Sequence, residues 1–188
     1  MKVLVTGGAG YIGTELITAL VNNPLVEKVI VYDNLSRPNF NMFLGLRLQK
    51  HEKISFVKGE LLDSRALKKN LAGVDVVYHL AANPDVKYSP GDPTDRDLRQ
   101  NTLGTYTLLE GMREAGVSKI AFSSTSAVYG IAEKLPIPEA HPCVPISLYG
   151  ASKLAGDPHR REHMAGLDGT AGTRRTGRGL DARVVGRD

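Results

Sequence analysis

The sequence has few of the residues and segments that mark several large classes of protein. Among its 188 residues there is one cysteine, Cys143, and no tryptophan. A single cysteine excludes a disulfide within the chain and a metal site built from cysteine thiolates, so we expect no metal and a reducing, cytoplasmic location. No apolar run approaches the ~20 residues that cross a bilayer, and the first predicted strand starts at residue 2, so we expect neither a membrane partner nor a signal peptide.

The excess of positive charge is small and is not gathered into a patch. The net charge is +4 and the isoelectric point is about 9.2, but half of the excess lies in residues 1–155 and half in residues 156–188. No cluster of lysine and arginine with interleaved aromatic residues occurs in the first of these segments. The sequence therefore argues against a nucleic-acid partner.

Apolar segments alternate with helical patterns up to about residue 156. The predicted strands are Lys2–Thr6, Lys28–Tyr32, Ile54–Lys58, Asp75–Leu80 and Lys119–Ser124. The predicted helices are Tyr11–Asn22, Ser64–Leu71, Thr94–Ala115 and one that begins near Leu148. Strands that are apolar throughout and separated by helices indicate a parallel sheet covered on both faces. We therefore predict an α/β fold with a doubly wound, Rossmann-like parallel sheet.

The composition changes abruptly after this point. Residues 156–188 contain seven arginines and seven glycines but no lysine, isoleucine, phenylalanine or tyrosine. We divide the chain into a folded domain over residues 1–156 and a Gly/Arg-rich tail over residues 157–188, which has too few large apolar residues to form a core. The tail is either a disordered segment or the out-of-frame translation of a GC-rich gene, and its narrow composition favours the second explanation.

A glycine-rich turn follows the first predicted strand directly. Gly8, Gly10 and Gly13 fit the pattern G-x-G-x-x-G, in which glycines let a pyrophosphate approach the amides at a helix N-terminus. The pattern alone is weak, but a strand precedes it, a helix follows it, and Asp33 stands 20 positions beyond Gly13. A carboxylate there accepts the ribose hydroxyls of NAD and repels the 2′-phosphate of NADP. We therefore predict an NAD site.

The other strand ends carry further candidates. An acidic residue at Glu60 is suited to the adenine amino group, although Glu60 and Asp63 are equally suited to capping the next helix. The fourth strand ends in the small residues Ala81 and Ala82, which leave space for a cofactor. We interpret His79, within that apolar strand, as a packed and hydrogen-bonded histidine. Asn101 is either a buried polar anchor or a surface residue.

A second constellation lies between residues 123 and 153. Tyr149 and Lys153 are four residues apart and share one face of a predicted helix. A nearby ammonium favours the phenolate form of a tyrosine, which makes it a general base. The hydroxyl run from Ser123 to Ser126 follows the fifth strand and is placed to bond the same substrate oxygen. In combination with the glycine turn and Asp33, the pattern Y-x-x-x-K is specific.

Taken together, these motifs resemble the extended short-chain dehydrogenases/reductases, in particular the NAD-dependent epimerase/dehydratase family and its UDP-glucose 4-epimerase-like members. The resemblance covers about residues 1–156 and implies NAD as cofactor and a nucleotide sugar, of the UDP-sugar class, as substrate. It implies catalytic roles for Thr125, Tyr149 and Lys153. The cofactor-binding positions that it implies are Gly7, Gly10, Tyr11, Ile12, Gly13, Asp33, Asn34, Leu35, Ser36, Glu60, Leu61, Leu80, Ala81, Ala82, Asn101, Ser123, Tyr149 and Lys153.

The residues after Thr125 favour one activity within this family. The related 4,6-dehydratases have Asp-Glu there, whereas this chain has Ser126 and Ala127 and lacks the additional carboxylate for elimination. The resemblance therefore implies a 4-epimerase that works by reversible hydride transfer at the sugar C4. The alternatives are an inactive NAD-binding fragment of such an enzyme, or another sugar-nucleotide dehydratase or reductase.

The chain also departs from the family pattern. Members have a further C-terminal region that completes the sheet and forms a nucleotide-sugar domain, and we expect this substrate domain to be lacking and the fold to be incomplete. The resemblance implies a homodimer formed through the Thr94–Ala115 helix and the helix of Tyr149. Pro158 interrupts the second of these helices, which argues against that dimer for this chain.

Overall fold

A computed structural model of the protein describes residues 1–37, 51–84, 93, 95–158 and 181–184. The strands are β1 (Lys2–Thr6), β2 (Lys28–Asp33), β3 (Ile54–Lys58), β4 (Val76–His79), β5 (Lys119–Phe122) and β6 (Asp181–Val184). The α-helices in these segments are α1 (Tyr11–Asn22), α2 (Ser64–Leu71), α3 (Gly104–Ala115) and α4 (Leu148–Gly156). Short 3₁₀ turns occupy His51–Lys53 and Ser126–Val128, and a π-helical turn occupies Leu98–Leu103 directly before α3.

All six strands form one sheet in the order β3-β2-β1-β4-β5-β6. Every neighbouring pair is parallel. The chain adds strands on one side of β1 as far as β3 and then returns to the other side with β4. This order is that of dinucleotide-binding folds, whose crevice opens at the carboxyl ends of the strands where the winding reverses. The predicted doubly wound α/β sheet is confirmed.

Each face of the sheet has its own apolar core, because successive side chains of a strand point to opposite faces. On one face, Leu4 packs with residues of α2 and α3 such as Leu71. On the other face, Val5 packs with residues of α1 such as Ile17. β1 and β2 are therefore buried on both sides, which explains why their sequences are apolar throughout rather than alternating.

Two strands and one helix have different ends in the structure from those that the sequence predicts. Predicted strands Asp75–Leu80 and Lys119–Ser124 both end earlier, at His79 and Phe122, because the residues beyond leave the sheet. The predicted helix Thr94–Ala115 begins with a π-helical turn, and Thr94 lies outside the described residues. No helix in the described ranges is long and apolar enough to cross a bilayer.

Strand β6 lies within residues 157–188, for which we predicted no regular structure. Its four residues pair with β5 in parallel, from Lys119 with Asp181 to Phe122 with Val184. An edge strand such as β5 presents unpaired backbone amides and carbonyls, so a short extended segment can add to it whatever its side chains. The division of the chain at residue 156 stays a prediction, although α4 does end at Gly156.

His79 is fully buried at the end of β4 and is hydrogen-bonded through both ring nitrogens. Its Nδ1 lies 2.6 Å from Thr6 Oγ1, and its Nε2 lies 2.9 Å from Thr105 Oγ1. Because Thr105 donates its own hydroxyl proton to the Asn101 carbonyl, Nε2 donates to Thr105 and Nδ1 accepts from Thr6. Burial, with a contribution from the positive charge of Lys153, lowers the pKa of His79 to about 3. The prediction of a packed, hydrogen-bonded histidine is confirmed.

We expect His79 to make the fold sensitive to acid. Its pKa is about 3 in the fold against an ordinary value of 6.5, so the unfolded chain binds a proton that the folded chain excludes. The contribution is fully present above about pH 6.5 and is lost as the pH falls toward 3. In urea denaturation, His79→Gln should remove roughly 3 kcal/mol of the pH-dependent loss between neutral pH and about pH 4. His141→Gln, at a partly exposed histidine, is the control and should keep the wild-type slope, whereas a wild-type slope in His79→Gln would contradict the assignment.

Candidate functional site

The carboxyl ends of the central strands open into a cleft of about 880 Å³. This volume lies within the range of roughly 300 to 1,000 Å³ that is usual for small-molecule sites. Most of the predicted site residues come together here. Those that line the cleft are Gly7, Gly10, Tyr11, Ile12, Gly13, Asp33, Asn34, Ser36, Glu60, Leu61, Leu80, Ala81, Ala82, Ser123, Tyr149 and Lys153. Leu35, Asn101 and Thr125 do not line it.

The glycine turn after β1 touches the loop after β4. Gly7 has a φ of +67°, and its amide donates to the Tyr32 carbonyl at 2.9 Å. A Cβ atom at Gly7 would lie 2.5 Å from the backbone nitrogen of Ala81, so a side chain is excluded by both conformation and space. Helix α1 follows with Gly10 at its N-cap and no side-chain cap on its first-turn amides. A helix start without a side-chain acceptor, at the wall of a cleft, is suited to a phosphate group.

Asp33 is held in one orientation by backbone amides. Ala9 N donates to Oδ2 at 3.0 Å, and Leu35 N donates to Oδ1 at 2.8 Å. Each carboxylate oxygen keeps a further lone pair for a ligand hydroxyl. Leu35 adopts a φ of +56°, which is uncommon for a side chain of this kind, and packs against the core beneath α1. Its place is therefore behind Asp33 rather than in the cleft.

The structure separates the two roles that the sequence left open for the acidic residues after β3. Asp63 is the N-cap of α2 and accepts from Ala66 N at 3.0 Å. Glu60 lines the cleft, and its Oε2 accepts from Asn34 Nδ2 at 3.1 Å. Its backbone carbonyl accepts from the Tyr32 hydroxyl at 2.9 Å. Glu60 and Asn34 thus form one polar wall next to Asp33.

Helix α4 brings Tyr149 and Lys153 to the opposite wall. Its N-cap is Ser147, whose Oγ accepts from Gly150 N at 3.0 Å. Tyr149 is half-buried, Lys153 is 3% exposed, and both line the cleft one helical turn apart. The helix has formed as the sequence predicted, and it places the two side chains on one face.

Thr125 lies beside α4 rather than in the cleft lining. It caps the Ser126–Val128 turn, and its Oγ1 accepts from Ala127 N at 3.2 Å. A Cβ atom at Gly150 would lie 2.5 Å from the Ala127 carbonyl oxygen, so the turn and the start of α4 are in close contact. Because Oγ1 only accepts in this bond, the Thr125 hydroxyl keeps its proton for a further partner.

Burial is the main influence on the pKa of Lys153. Removal from water lowers the pKa of Lys153 to about 8, and the charge of Asp157 opposes that shift. Its Nζ lies 4.4 Å from the centroid of the Phe122 ring. Lys153 therefore remains predominantly an ammonium near neutral pH, one helical turn from Tyr149.

Asn101 is a buried anchor that joins the loop after β4 to α4, which resolves the alternatives left open by the sequence. Its Oδ1 accepts from Asn83 N at 2.7 Å, and its Nδ2 lies 3.1 Å from the Asn83 carbonyl and 2.9 Å from Ser152 Oγ. Asp97 Oδ1 accepts from both asparagine amides, at 2.9 and 3.2 Å. Ser152 in turn donates to the Tyr149 carbonyl at 2.8 Å. We call Asn83, Asp97, Asn101 and Ser152 the amide cluster.

Sequence reasoning missed several residues of the site. Arg99 and Gln100 line the cleft from the π-helical turn, and no motif marks them. Asp97 lies four residues before Asn101, a spacing that would have placed both on one helix face. Within the described ranges, no group of three histidine, cysteine, aspartate or glutamate side chains is placed to hold a metal ion.

Comparisons with known proteins agree with this geometry. The sequence family described as GDP-mannose 4,6 dehydratase matches residues 4–165. The chain belongs to this family. Its similarity to the UDP-glucose 4-epimerase of Halalkalibacterium halodurans is 38% identity over 157 residues, which are 82% of this chain and 44% of that protein. The chain spans about half the length of the curated relatives it matches.

Solved structures are similar to this chain in backbone fold as well as in sequence. The UDP-glucuronic acid 4-epimerase of Bacillus cereus, in complex with UDP-glucuronic acid and NAD, is 34% identical with a TM-score of 0.74, over 89% of this chain and 52% of that one. The dTDP-glucose 4,6-dehydratase DesIV of Streptomyces venezuelae, with NAD bound, is 30% identical with a TM-score of 0.76, over 98% and 54%. The predicted resemblance to the epimerase/dehydratase family is confirmed.

We expect the glycine turn of this family member to tolerate no side chain at Gly7. Gly7 and Gly73 have similar φ values, +67° and +69°, but a Cβ atom at Gly73 meets nothing within 4 Å. Gly73→Ala should therefore cost only the conformational penalty of about 1 to 2 kcal/mol. Gly7→Ala should cost at least ~2 kcal/mol more, because the Ala81 backbone must also move. Urea denaturation followed by circular dichroism measures both, and equal losses would show that the contact with Ala81 is unimportant.

Proposed function

We propose that this chain binds NAD and supplies the catalytic residues of a nucleotide-sugar 4-epimerase of the UDP-glucose/UDP-galactose type. One observation carries the proposal. A single cleft joins the glycine turn and Asp33 on one side to Tyr149 and Lys153 on the other. The first pair of features fits a dinucleotide, and the second fits removal of a proton from an alcohol. An enzyme that oxidises and reduces a hydroxyl-bearing carbon needs both in one place.

The residues of the cleft fit the cofactor from end to end. The first turn of α1 and the glycine turn would hold the diphosphate, the two oriented oxygens of Asp33 would accept the adenosine ribose hydroxyls, and Glu60 with Leu61 would border the adenine. The small residues Ala81 and Ala82 leave room for the nicotinamide end near α4. When bound, NAD supplies a hydride acceptor and donor.

The reaction assigns a distinct part to each catalytic side chain. Tyr149 would take the proton of the sugar 4-hydroxyl and later return it, and the Lys153 ammonium would stabilise its phenolate. The Thr125 hydroxyl, whose proton is not used in its bond with Ala127, would donate a hydrogen bond to the sugar oxygen while that oxygen is a carbonyl. Epimerisation requires that the 4-keto sugar turns over in the site before the hydride returns to its other face. No additional carboxylate is needed for any of these steps.

A 4-epimerase is favoured over a dehydratase because Ser126 and Ala127 follow Thr125, where elimination would need an acidic residue. The named epimerase relatives support the same choice and support a UDP-sugar as substrate. A dehydratase or reductase is the second candidate, favoured by the likeness to DesIV. An NAD-binding chain without turnover is the third, favoured by the share of each relative that the chain spans. The cytoplasmic location rests on the single cysteine. The homodimer of the family and its loss in this chain through Pro158 both stay predictions.

We expect Tyr149→Phe to separate binding from chemistry. Loss of the phenol removes the base, so interconversion of UDP-galactose and UDP-glucose should fall by about 10² to 10⁴, whereas the NAD dissociation constant should change little. A coupled assay measures the first, and calorimetric titration measures the second. Tyr106→Phe, at an exposed tyrosine of α3, is the matched control and should keep full activity. NAD binding without turnover in the wild-type chain would instead support the third candidate.

We expect Asp33 to set the preference for NAD over NADP. In Asp33→Asn the charge that repels a 2′-phosphate is gone and the hydrogen bonds to the ribose are weaker, so NAD affinity should fall about tenfold. The ratio of the NADP to the NAD dissociation constant should fall by a similar factor. Asp75→Asn, before β4 at the opposite end of the sheet, serves as the control. An unchanged ratio in Asp33→Asn would remove Asp33 from cofactor selection.

A further inference from the structure

Phe122, the last residue of β5, contacts two groups on which the site depends. Its side chain is 2% exposed. Lys153 Nζ lies over the ring, 4.4 Å from its centroid. The His79 ring also packs against Phe122, with centroids 5.6 Å apart and the planes tilted by 43°. No sequence motif marks Phe122.

We propose that Phe122 is a positioning residue, whose ring face holds the Lys153 ammonium at the inner wall of the cleft. The proposal deepens the proposed function and rests on it, since Phe122 acts on cofactor and substrate only through Lys153. In this role an apolar residue of β5 contributes to the chemistry of Tyr149 and Lys153 on α4.

The burial of Lys153 makes such a partner necessary. Lys153 is 3% exposed, and a buried ammonium must replace its water with other favourable contacts. The negative charge of Asp157, next to the end of α4, supplies part of this. The electron-rich face of an aromatic ring at this distance supplies another part, and its attraction for a cation is greatest where water is excluded. The ring also fixes the direction in which Nζ points. The longer-range attraction of the Asp157 charge does not fix this direction.

The ring itself has little freedom to move. His79 packs against it and is tied through its two nitrogens to Thr6 of β1 and Thr105 of α3. Because burial keeps His79 neutral, this neighbour adds no second positive charge beside the ammonium. Phe122 is thus held by its contact with His79 and presents its ring face to Lys153.

In the described part of the chain, His79, Asp157 and Tyr149 are titratable groups near Lys153. His79 of β4 has a pKa of about 3 and is neutral throughout the range in which Lys153 titrates, near 8. Asp157 favours the ammonium. Tyr149 lies one turn earlier on α4. A change in the electron density of the Phe122 ring should therefore alter the proton affinity of Lys153 directly, and the shape of the site should change little.

The test replaces Phe122 with phenylalanines carrying one, two and three ring fluorines, introduced into the full chain. Fluorine withdraws electron density from the ring face and leaves its shape nearly unchanged. The titration of Lys153 is followed by NMR of ¹³Cε-labelled lysine, with the signal assigned by Lys153→Arg. The pKa of Lys153 should fall step by step with fluorine number, by about one unit in total. The same fluorination at Phe56 of β3 is the matched control and should leave the Lys153 titration unmoved.

Two further measurements keep the result specific. Repeating the series in Tyr149→Phe should give the same steps, because the effect passes from ring to ammonium without the phenol. NAD affinity near pH 8 should weaken along the series as the neutral fraction of Lys153 grows. A Lys153 titration that is unchanged across the series, or that moves equally with Phe56, would overturn the role of Phe122. Failure of the wild-type chain to bind NAD would overturn the proposed function instead, and the NMR titration would still decide the question of Phe122.

Discussion

The site depends first on the bidentate pairing of the Asn101 side chain with the backbone of Asn83. Through it, the loop that follows β4 is fixed against a helix that is remote in sequence, and Ser152 extends the connection to the backbone of Tyr149. All members of the amide cluster are buried, so each bond broken would leave a desolvated polar group and cost about 1 to 3 kcal/mol. The π-helical turn at Leu98–Leu103 is where this pairing occurs, and such turns are frequent at functional sites. The cofactor side and the catalytic side of the cleft are therefore held at a fixed separation by hydrogen bonds rather than by apolar packing.

The opposite side of the cleft is held by steric contact instead. Gly7 touches the backbone of Ala81, so the turn after β1 and the loop after β4 meet with no side chain between them. The same loop thus contacts the glycine turn through Ala81 and the amide cluster through Asn83, two residues later. A displacement of this loop would change the diphosphate position and the distance to Tyr149 together.

The sequence predicted what depends on local pattern and missed what depends on partners far along the chain. The bounds of β1, β3, α1 and α2 follow from apolar periodicity and turn residues, and Asp33, Tyr149 and Lys153 follow from fixed spacing to known landmarks. The resemblance implied Leu35 as a cofactor-binding position, whereas its side chain packs against the core beneath α1 and does not line the cleft. Apart from the Asp97–Asn101 spacing, the bonds of the amide cluster and the contact of Phe122 with Lys153 join residues 14 to 51 positions apart, for which a single sequence contains no signal. Strand β6 was missed because its pairing uses only backbone groups at the open edge of β5.

The fold keeps the histidine closest to Phe122 neutral, so that His79 adds no positive charge beside the Lys153 ammonium. If His79 were protonated, a second cation would pack against Phe122 and would make the Lys153 ammonium harder to keep. Two threonine hydroxyls satisfy both nitrogens of the neutral ring, so neutrality costs the fold no unpaired hydrogen bond. The same arrangement makes the fold sensitive to acid. Protonation of the ring requires either that the ring is exposed to water or that a cation is buried, and both destabilise the fold. Acid sensitivity of the sheet and a dependable ammonium beside the base are thus two consequences of one buried histidine.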